Sequence, residues 1–217
     1  MLYGLKAQFQ KVALYFATSG LTANQASILG WVFVLLSAAS LYFGMHLLDL
    51  DKVWVAWPLL LFSVFTFLRL VFNALDGMIA RATNKASPMG ELANELGDIC
   101  GDTICYGILF LIPFVNLLVL TAFLLACWFA EFTGVLGRAL PGHIRRHESL
   151  LGGKAERSLL FCLFTLGCFF SPELAVHINQ FLGALALLTF ATGVVRIVKI
   201  RKQTQGLEYQ SHTSYGR

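Results

Sequence analysis

Acidic side chains occur inside stretches of sequence that are otherwise apolar. Six acidic residues lie within or beside such stretches: Asp76, Glu91, Glu95, Asp98, Asp102 and Glu131. A charged side chain at the centre of a bilayer costs roughly 2.5–3.5 kcal/mol on insertion scales, so a counter-charge is expected beside it. Mg²⁺ prefers oxygen ligands and commonly joins a few carboxylates to the phosphates of a substrate. These residue types therefore predict a metal site for a phosphorylated substrate.

Helical spacing brings the polar groups together on two neighbouring segments. Each helical residue turns by about 100°, so one arc of about 100° holds five side chains of the later segment. These five are Glu91, Asn94, Glu95, Asp98 and Asp102. Asn73 and Asp76 share a face of the earlier segment, and Arg69 lies on nearly the same face, where we expect it to pair with an acid or a phosphate. The alternative interpretation is a set of interhelical hydrogen bonds, with Arg69 and Arg81 neutralising the acids.

Composition indicates a membrane protein. Hydrophobic residues make up 57% of the 217, and 13% are charged, whereas soluble domains carry about 25% charged residues. The net charge of +4 reflects membrane topology, and no nucleic acid partner is expected. The five cysteines all lie in apolar segments, so they predict small buried side chains and no disulfide framework.

Six segments are long and apolar enough for spans of about 20 residues. They lie near residues 24–44, 53–82, 91–111, 114–138, 158–172 and 177–198, which predicts an all-α membrane protein. A single domain is expected over residues 1–203, followed by a polar tail at 204–217 that we expect to be disordered. Residues 3–18 have the spacing of an N-terminal interfacial amphipathic helix, although a leader without function is the alternative.

The basic residues predict the orientation of these spans. Fifteen of the sixteen Lys and Arg residues fall on one side of the predicted bilayer, and Lys52 falls on the other. By the positive-inside rule, both termini and the turn at residues 82–90 are cytoplasmic. At the start of the first span, Thr22 and Gln25 have the spacing of a capping box.

Residues 73–98 resemble the signature of the CDP-alcohol phosphotransferase family of membrane enzymes. In one-letter code, the family pattern is D-x2-D-G-x2-A-R, followed after seven to nine residues by G-x3-D-x3-D. This chain matches it, with the spacing preserved, at Asp76, Gly77, Ala80, Arg81, Gly90 and Asp98. Asn73 and Asn94 stand where the family has its first and third aspartates, as in an Asn-substituted bacterial branch.

The resemblance implies an enzyme that uses Mg²⁺ or Mn²⁺ and a CDP-linked substrate at the cytoplasmic face of a bacterial inner membrane. It identifies Asp98 as the base that deprotonates an alcohol acceptor. It identifies a nucleotide-binding set of Asp76, Gly77, Ala80, Arg81 and Gly90. It also implies a homodimer in the lipid bilayer.

The two asparagines remove two charges from the family's acidic set. Glu95 and Asp102 are positioned to restore them, so the predicted metal ligands are Asn73, Asp76, Asn94, Glu95, Asp98 and Asp102. In this hypothesis the asparagines coordinate through neutral amide oxygens. The rival hypothesis is a weakened site that holds one metal ion or none.

Basic residues around the loop between the fourth and fifth spans have two interpretations. Arg138, Lys154 and Arg157 are predicted to bind a lipid or acceptor phosphate, but they also suit the role of anionic-lipid anchors. Glu131 is expected either to pair with Arg138 or to bind an acceptor hydroxyl. His143 and His147, also in this loop, are interpreted as solvated residues because the sequence offers them no further metal ligands.

The function favoured by these features is transfer of a phosphatidyl group from CDP-diacylglycerol to an alcohol acceptor, with release of CMP. An alternative within the class is transfer of a phospho-alcohol from a CDP-alcohol to diacylglycerol. An alternative of another class is a catalytically degenerate membrane scaffold or transporter. The sequence leaves the identity of the acceptor open.

Overall fold

The computed structural model describes residues 15–16, 18–49, 56–140 and 152–214, and the regular elements in these ranges are helical. The α-helices are α1 (Ala23–Asp49), α2 (Pro58–Ala82), α3 (Pro88–Gly107), α4 (Leu117–Ala139), α5 (Lys154–Phe170) and α6 (Ile178–Ser214). Two short 3₁₀ helices, Ile108–Leu111 and Pro172–His177, lie between them. The all-α prediction is confirmed for these ranges.

Within the described ranges, four stretches are long and apolar enough to cross a bilayer. They are Ala23–Leu48, Pro58–Ala82, Leu117–Ala139 and Pro172–Gln205, so the chain is a multi-pass membrane protein. Helices α3 and α5 lie where the other two spans were predicted. However, α3 carries four acidic residues, and α5 has 17 residues, fewer than the usual 20.

The predictions for the two ends of the chain concern a helix at the N-terminus and a disordered tail at the C-terminus. The predicted amphipathic helix at 3–18 lies outside the described residues except for 15, 16 and 18. The prediction of a disordered tail is wrong for residues 204–214, because α6 continues to Ser214. Extending an existing helix adds one hydrogen bond per residue without a new nucleation step, and the Gln, Leu and Glu residues of this segment favour helix.

The helices divide between two compact units. The first unit comprises Met1–Ile112 and Cys162–Pro172, and so contains α1, α2, α3 and the second half of α5. The second unit comprises Pro113–Phe161 and Glu173–Arg217, with α4, the start of α5 and α6. The residues of the signature all lie in the first unit.

Small residues allow α1 and α2 to pack closely. A Cβ atom added at Gly44 would lie 2.4 Å from Cδ2 of Leu59, so the backbone of α1 approaches a side chain of α2 directly. About two turns from this contact along each helix, the Thr66 hydroxyl donates to the Ser37 hydroxyl at 3.4 Å. Small side chains are the usual means of close helix approach in membranes.

Local capping signals set the starts of the two helices that flank the site. Gln25 N donates to the Thr22 hydroxyl at 3.3 Å, and Thr22 N donates to Oε1 of Gln25 at 2.9 Å, which confirms the capping box. Gly90 N donates to the Ser87 hydroxyl at 3.1 Å. Ser87 therefore caps α3 as Thr22 caps α1.

A tight reversal joins α2 to α3. Lys85 N donates to the Ala80 carbonyl at 2.8 Å, the six-to-one bond of a Schellman motif. Asn84 has a φ of 54°, a left-handed conformation that Asn tolerates better than most residues. This turn makes the two signature helices antiparallel neighbours.

Candidate functional site

Helices α1, α2 and α3 enclose a small polar cavity in the first unit. Its volume is about 30 Å³, whereas one water needs about 10–15 Å³ on this measure. The lining residues are Ser27, Gly30, Trp31, Val34, Asn73, Asp76, Ala93, Asn94 and Gly97. A cavity of this size suits a water molecule or a single cation, and a nucleotide would have to lie beyond it.

The carboxylate of Asp76 is buried and held from two sides. Its Oδ2 atom accepts a hydrogen bond from the Ser27 hydroxyl at 2.8 Å. Its Oδ1 atom accepts from the backbone N–H of Gly77. These two donors fix the orientation of the carboxylate, and both of its oxygens keep lone pairs that a cation could use.

Asn73 and Asp98 are joined directly across the two signature helices. Nδ2 of Asn73 donates to Oδ1 of Asp98 at 3.1 Å. A carboxylate can only accept, so this bond orients the amide nitrogen toward Asp98. The opposite side of the amide packs against α1, where a Cβ atom added at Gly30 would lie 2.4 Å from Oδ1 of Asn73. Gly30 therefore leaves the room that this amide occupies.

The remaining predicted ligands lie at three different places. Asn94 lines the cavity with Asn73 and Asp76. Glu95 is the next residue on α3 and is half-buried, but it is not among the described residues that line the cavity. Asp102 is buried and accepts from Nη2 of Arg69 at 2.6 Å. The expected pairing of Arg69 with an acid is thereby confirmed.

The donor atoms fit a hard divalent cation. Among the described residues, no three His, Cys, Asp or Glu side chains form a cluster that could hold a metal ion. Asparagine oxygens widen the available set, because two amides and the Asp76 carboxylate line one cavity and Asp98 is bonded to its wall. Carboxylate and amide oxygens are ligands of Mg²⁺, Mn²⁺ and Ca²⁺ rather than of softer metals.

The predicted nucleotide-binding residues lie at the adjacent ends of α2 and α3. Nη1 of Arg81 would lie 3.4 Å from a Cβ atom built on Gly77, so the exposed guanidinium folds back over this glycine. Arg81 therefore lies beside the residue that follows Asp76 in the chain. Ala80 is half-buried, and Gly90 is exposed in the first turn of α3.

The second unit contains a buried charged cluster of its own. Nη2 of Arg157 donates to Oε1 of Glu131 at 3.1 Å, and its Nη1 donates to the Gly152 carbonyl at 2.9 Å. Arg196 on α6 donates to the Ala130 carbonyl. Lys154 is half-buried at the start of α5, and Arg138 is exposed at the end of α4. The two loop histidines lie outside the described residues.

Several site residues were missed by the sequence analysis. Ser27, Gly30 and Trp31 all come from α1, and single small or polar residues in an apolar span carry no distinctive pattern. The pairing of Arg157 with Glu131 joins residues 26 positions apart.

Solved structures show the same fold. The structure aligns with the phosphatidylinositol phosphate synthase PgsA1 of Mycobacterium tuberculosis, solved with CDP-DAG bound, at a TM-score of 0.61 and 19% sequence identity. The alignment covers 88% of this chain and 92% of that one. PgsA1 in complex with manganese and citrate aligns equally well, with a TM-score of 0.61.

Sequence comparisons extend this similarity. The inner membrane protein YnbA of Escherichia coli K12 is 30% identical over 137 residues, covering 63% of this chain and 67% of YnbA. The archaetidylinositol phosphate synthase of Pyrococcus horikoshii is 26% identical over 207 residues, covering 93% of this chain and 95% of that enzyme. The family model named CDP-alcohol phosphatidyltransferase matches residues 20–195. The chain therefore belongs to the CDP-alcohol phosphatidyltransferase family.

Proposed function

We propose that the protein transfers a phosphatidyl group from CDP-diacylglycerol to an alcohol acceptor. The observation that carries this proposal is the meeting of the signature residues Asn73, Asp76 and Asn94 at one cavity, with Asp98 bonded to its wall. A new phosphorus–oxygen bond forms to the acceptor, and the bond from that phosphorus to the bridging oxygen breaks. CMP leaves, and Asp98 takes the proton of the acceptor hydroxyl.

A divalent cation, Mg²⁺ or Mn²⁺, would be held by Asn73, Asp76, Asn94 and Asp98, with Glu95 close by on α3. When bound, such an ion supplies charge stabilisation for the diphosphate and for the departing CMP. Ser27 and the Gly77 N–H keep the Asp76 carboxylate oriented for this role. The manganese complex of the related PgsA1 supports the choice of metal class.

The substrate groups occupy two regions in this proposal. Asp76, Gly77, Ala80, Arg81 and Gly90 contact the CDP moiety, because small residues leave its approach open. Arg138 and Lys154 bind a lipid or acceptor phosphate, whereas Arg157 is fully buried and bonded to Glu131 and the Gly152 carbonyl, so it supports the fold there. The CDP-DAG complex of PgsA1 supports a CDP-linked lipid as the substrate.

We also propose the membrane arrangement that the sequence predicts. It consists of six transmembrane helices in one domain over residues 1–203, an interfacial helix at 3–18 and two cytoplasmic termini. The protein lies in a bacterial inner membrane as a homodimer. The similarity to the inner membrane protein YnbA supports this location.

Release of CMP by the purified protein tests the proposed activity. The protein is reconstituted in nanodiscs with CDP-diacylglycerol, Mn²⁺ or Mg²⁺, and a panel of acceptors that includes glycerol phosphate, inositol phosphate and serine. We expect CMP release with one acceptor and loss of that release in Asp76→Ala and Asp98→Asn. Glu173→Gln is the matched control, because Glu173 is an exposed acid in the second unit. If the wild type releases no CMP with any acceptor of the panel, the proposal is contradicted.

A degenerate scaffold is the second candidate. Two features favour it: the asparagines at positions 73 and 94, and the lack of a three-residue His, Cys, Asp or Glu cluster within the described ranges. The thermal midpoint with CDP and Mn²⁺ separates the two candidates, because a ligand that binds the native state raises it. A scaffold without a nucleotide site shows no such rise.

A further inference from the structure

The Arg69–Asp102 ion pair lies one helical turn beyond the site. Arg69 and Asp102 are four residues from Asn73 and Asp98 on their respective helices. Arg69 bonds Asp102 at 2.6 Å, and Asn73 bonds Asp98 at 3.1 Å. The two bonds are therefore successive contacts between antiparallel helices, one turn apart. Fixing the Arg69–Asp102 contact restricts where Asn73 can lie relative to Asp98.

This pair is an inefficient way to stabilise a membrane helix bundle. Arg69 is fully buried, and within the described residues its Nε and Nη1 atoms have no hydrogen-bond partner. Replacing a buried ion pair by apolar residues of similar size is often neutral or stabilising. The role best attested for retained buried polar pairs is to select one register among several.

We propose that Arg69 and Asp102 are positioning residues that set the register of α2 against α3 and so place Asn73 next to Asp98. The proposal rests on the proposed function, in which Asp98 is the base. It changes the part assigned to Asp102, whose carboxylate acts through Arg69 rather than as a metal ligand.

Close packing around the pair supports this role. A Cβ atom added at Gly101 would lie 2.9 Å from Nη2 of Arg69 and 3.2 Å from Val34. The guanidinium is thus confined by α1 and α3 while its charge is fixed by Asp102. Sliding α2 along α3 would break the ion pair and move Arg69 out of the space that Gly101 leaves for it, so a single register is favoured.

The test removes the pair without leaving a lone buried charge. In Arg69→Met/Asp102→Leu, we expect the thermal midpoint to stay close to that of the wild type, while kcat for CMP release falls about 100-fold, the effect of a misplacement of about 1 Å. KM for CDP-diacylglycerol and the affinity for Mn²⁺ should change much less. Thr66→Val, which removes a buried polar group of α2 that faces α1, is the matched control.

A distance measurement reads the register itself. Spin labels are attached through Ala74→Cys and Leu96→Cys, two exposed positions on α2 and α3, in a Cys100→Ala background. In the double variant we expect the label distance to shift or broaden by about 1 Å, the size of misplacement that corresponds to this fall in kcat. Gly101→Ala is a second variant that keeps both charges and should change the distance in the same way.

The outcomes separate the two proposals. An unchanged label distance in both variants overturns the positioning role, whatever happens to activity. Full activity of the double variant overturns it as well, and so does a loss of Mn²⁺ affinity in Asp102→Asn as large as that in Asp76→Ala. If the wild type releases no CMP, the proposed function fails, and the label distance still decides the register.

Discussion

At the scale of single residues, the site depends on how each oxygen is oriented. Asp76 accepts from Ser27 on α1 and from its own helix at Gly77, so its carboxylate has little rotational freedom. Asn73 contributes a donor to Asp98, which an aspartate at that position could not do. The residue types at positions 27 and 73 therefore determine which oxygens remain for a cation.

Ser27→Ala tests the orientation of Asp76. Losing one hydrogen bond to a charged group should weaken Mn²⁺ binding by about tenfold, equivalent to about 1.4 kcal/mol. Titration of Mn²⁺ by electron paramagnetic resonance measures this change. Ser40→Ala, a buried serine on the same helix and away from the cavity, should bind Mn²⁺ as the wild type does. Equal affinity in both variants would show that Ser27 does not orient the ligand.

Asn73→Asp restores the aspartate of the family pattern, and its effect should depend on metal. Without metal, the substitution replaces a donor with a second acceptor next to Asp98, so the thermal midpoint in EDTA should fall by several degrees. With Mn²⁺ the two carboxylates share a cation, so the rise in midpoint should exceed that of the wild type. Gln180→Glu adds a charge at an exposed position of α6 and should show neither effect. A metal-independent loss of stability would contradict this interpretation.

At the scale of helices, the close approach of α1 to α2 places α1 residues in the lining of the cavity. The signature residues themselves lie on α2 and α3. Gly30 faces Asn73, Gly44 faces Leu59, and Phe33 stacks against Phe72 at a ring-centroid distance of 5.4 Å. The signature could be predicted from spacing, since it is local in sequence. The contribution of α1 could not, because close packing by a glycine depends on the partner helix.

Gly30→Ala and Gly44→Ala separate packing from function. Both place a Cβ atom 2.4 Å from a side chain of α2, so each should lower the free energy of unfolding by about 1–3 kcal/mol, the usual effect of overpacking. Only Gly30→Ala displaces the Asn73 amide, so it alone should lower CMP release beyond the loss of folded protein. Gly107→Ala is the control, because a Cβ atom there meets nothing within 4 Å. Equal specific activity of the Gly30 and Gly44 variants would contradict a separate effect of Gly30 on the site.

At the scale of the whole molecule, membrane character and the order of the six helical segments were predictable. Apolar length and capping residues such as Thr22 and Gln25 are local signals. Long-range pairing was not predictable, as shown by Arg157, which bonds Glu131 on another helix of the second unit. The extension of α6 to Ser214 was also missed, because polar composition does not distinguish a disordered tail from a helix that continues an existing one.

The buried pair of Glu131 and Arg157 should be important for the stability of the second unit. Glu131→Ala removes the carboxylate that bonds a fully buried arginine, which typically lowers stability by about 3–5 kcal/mol. Replacing both residues by leucine should recover much of this loss. Thermal unfolding of the single and double variants in detergent measures both changes. If the double variant is as unstable as Glu131→Ala, the loss of stability does not come from leaving the charge of Arg157 unpaired.

The hydrogen bond between Asn73 and Asp98 also has a consequence for metal affinity. A cation that bound Oδ1 of Asp98 would compete with the Asn73 amide, which already donates to this oxygen. The net gain for an ion alone would then be smaller than for an ion that also meets the diphosphate of a nucleotide. We therefore expect the affinity for Mn²⁺ to be higher with CDP present than without it.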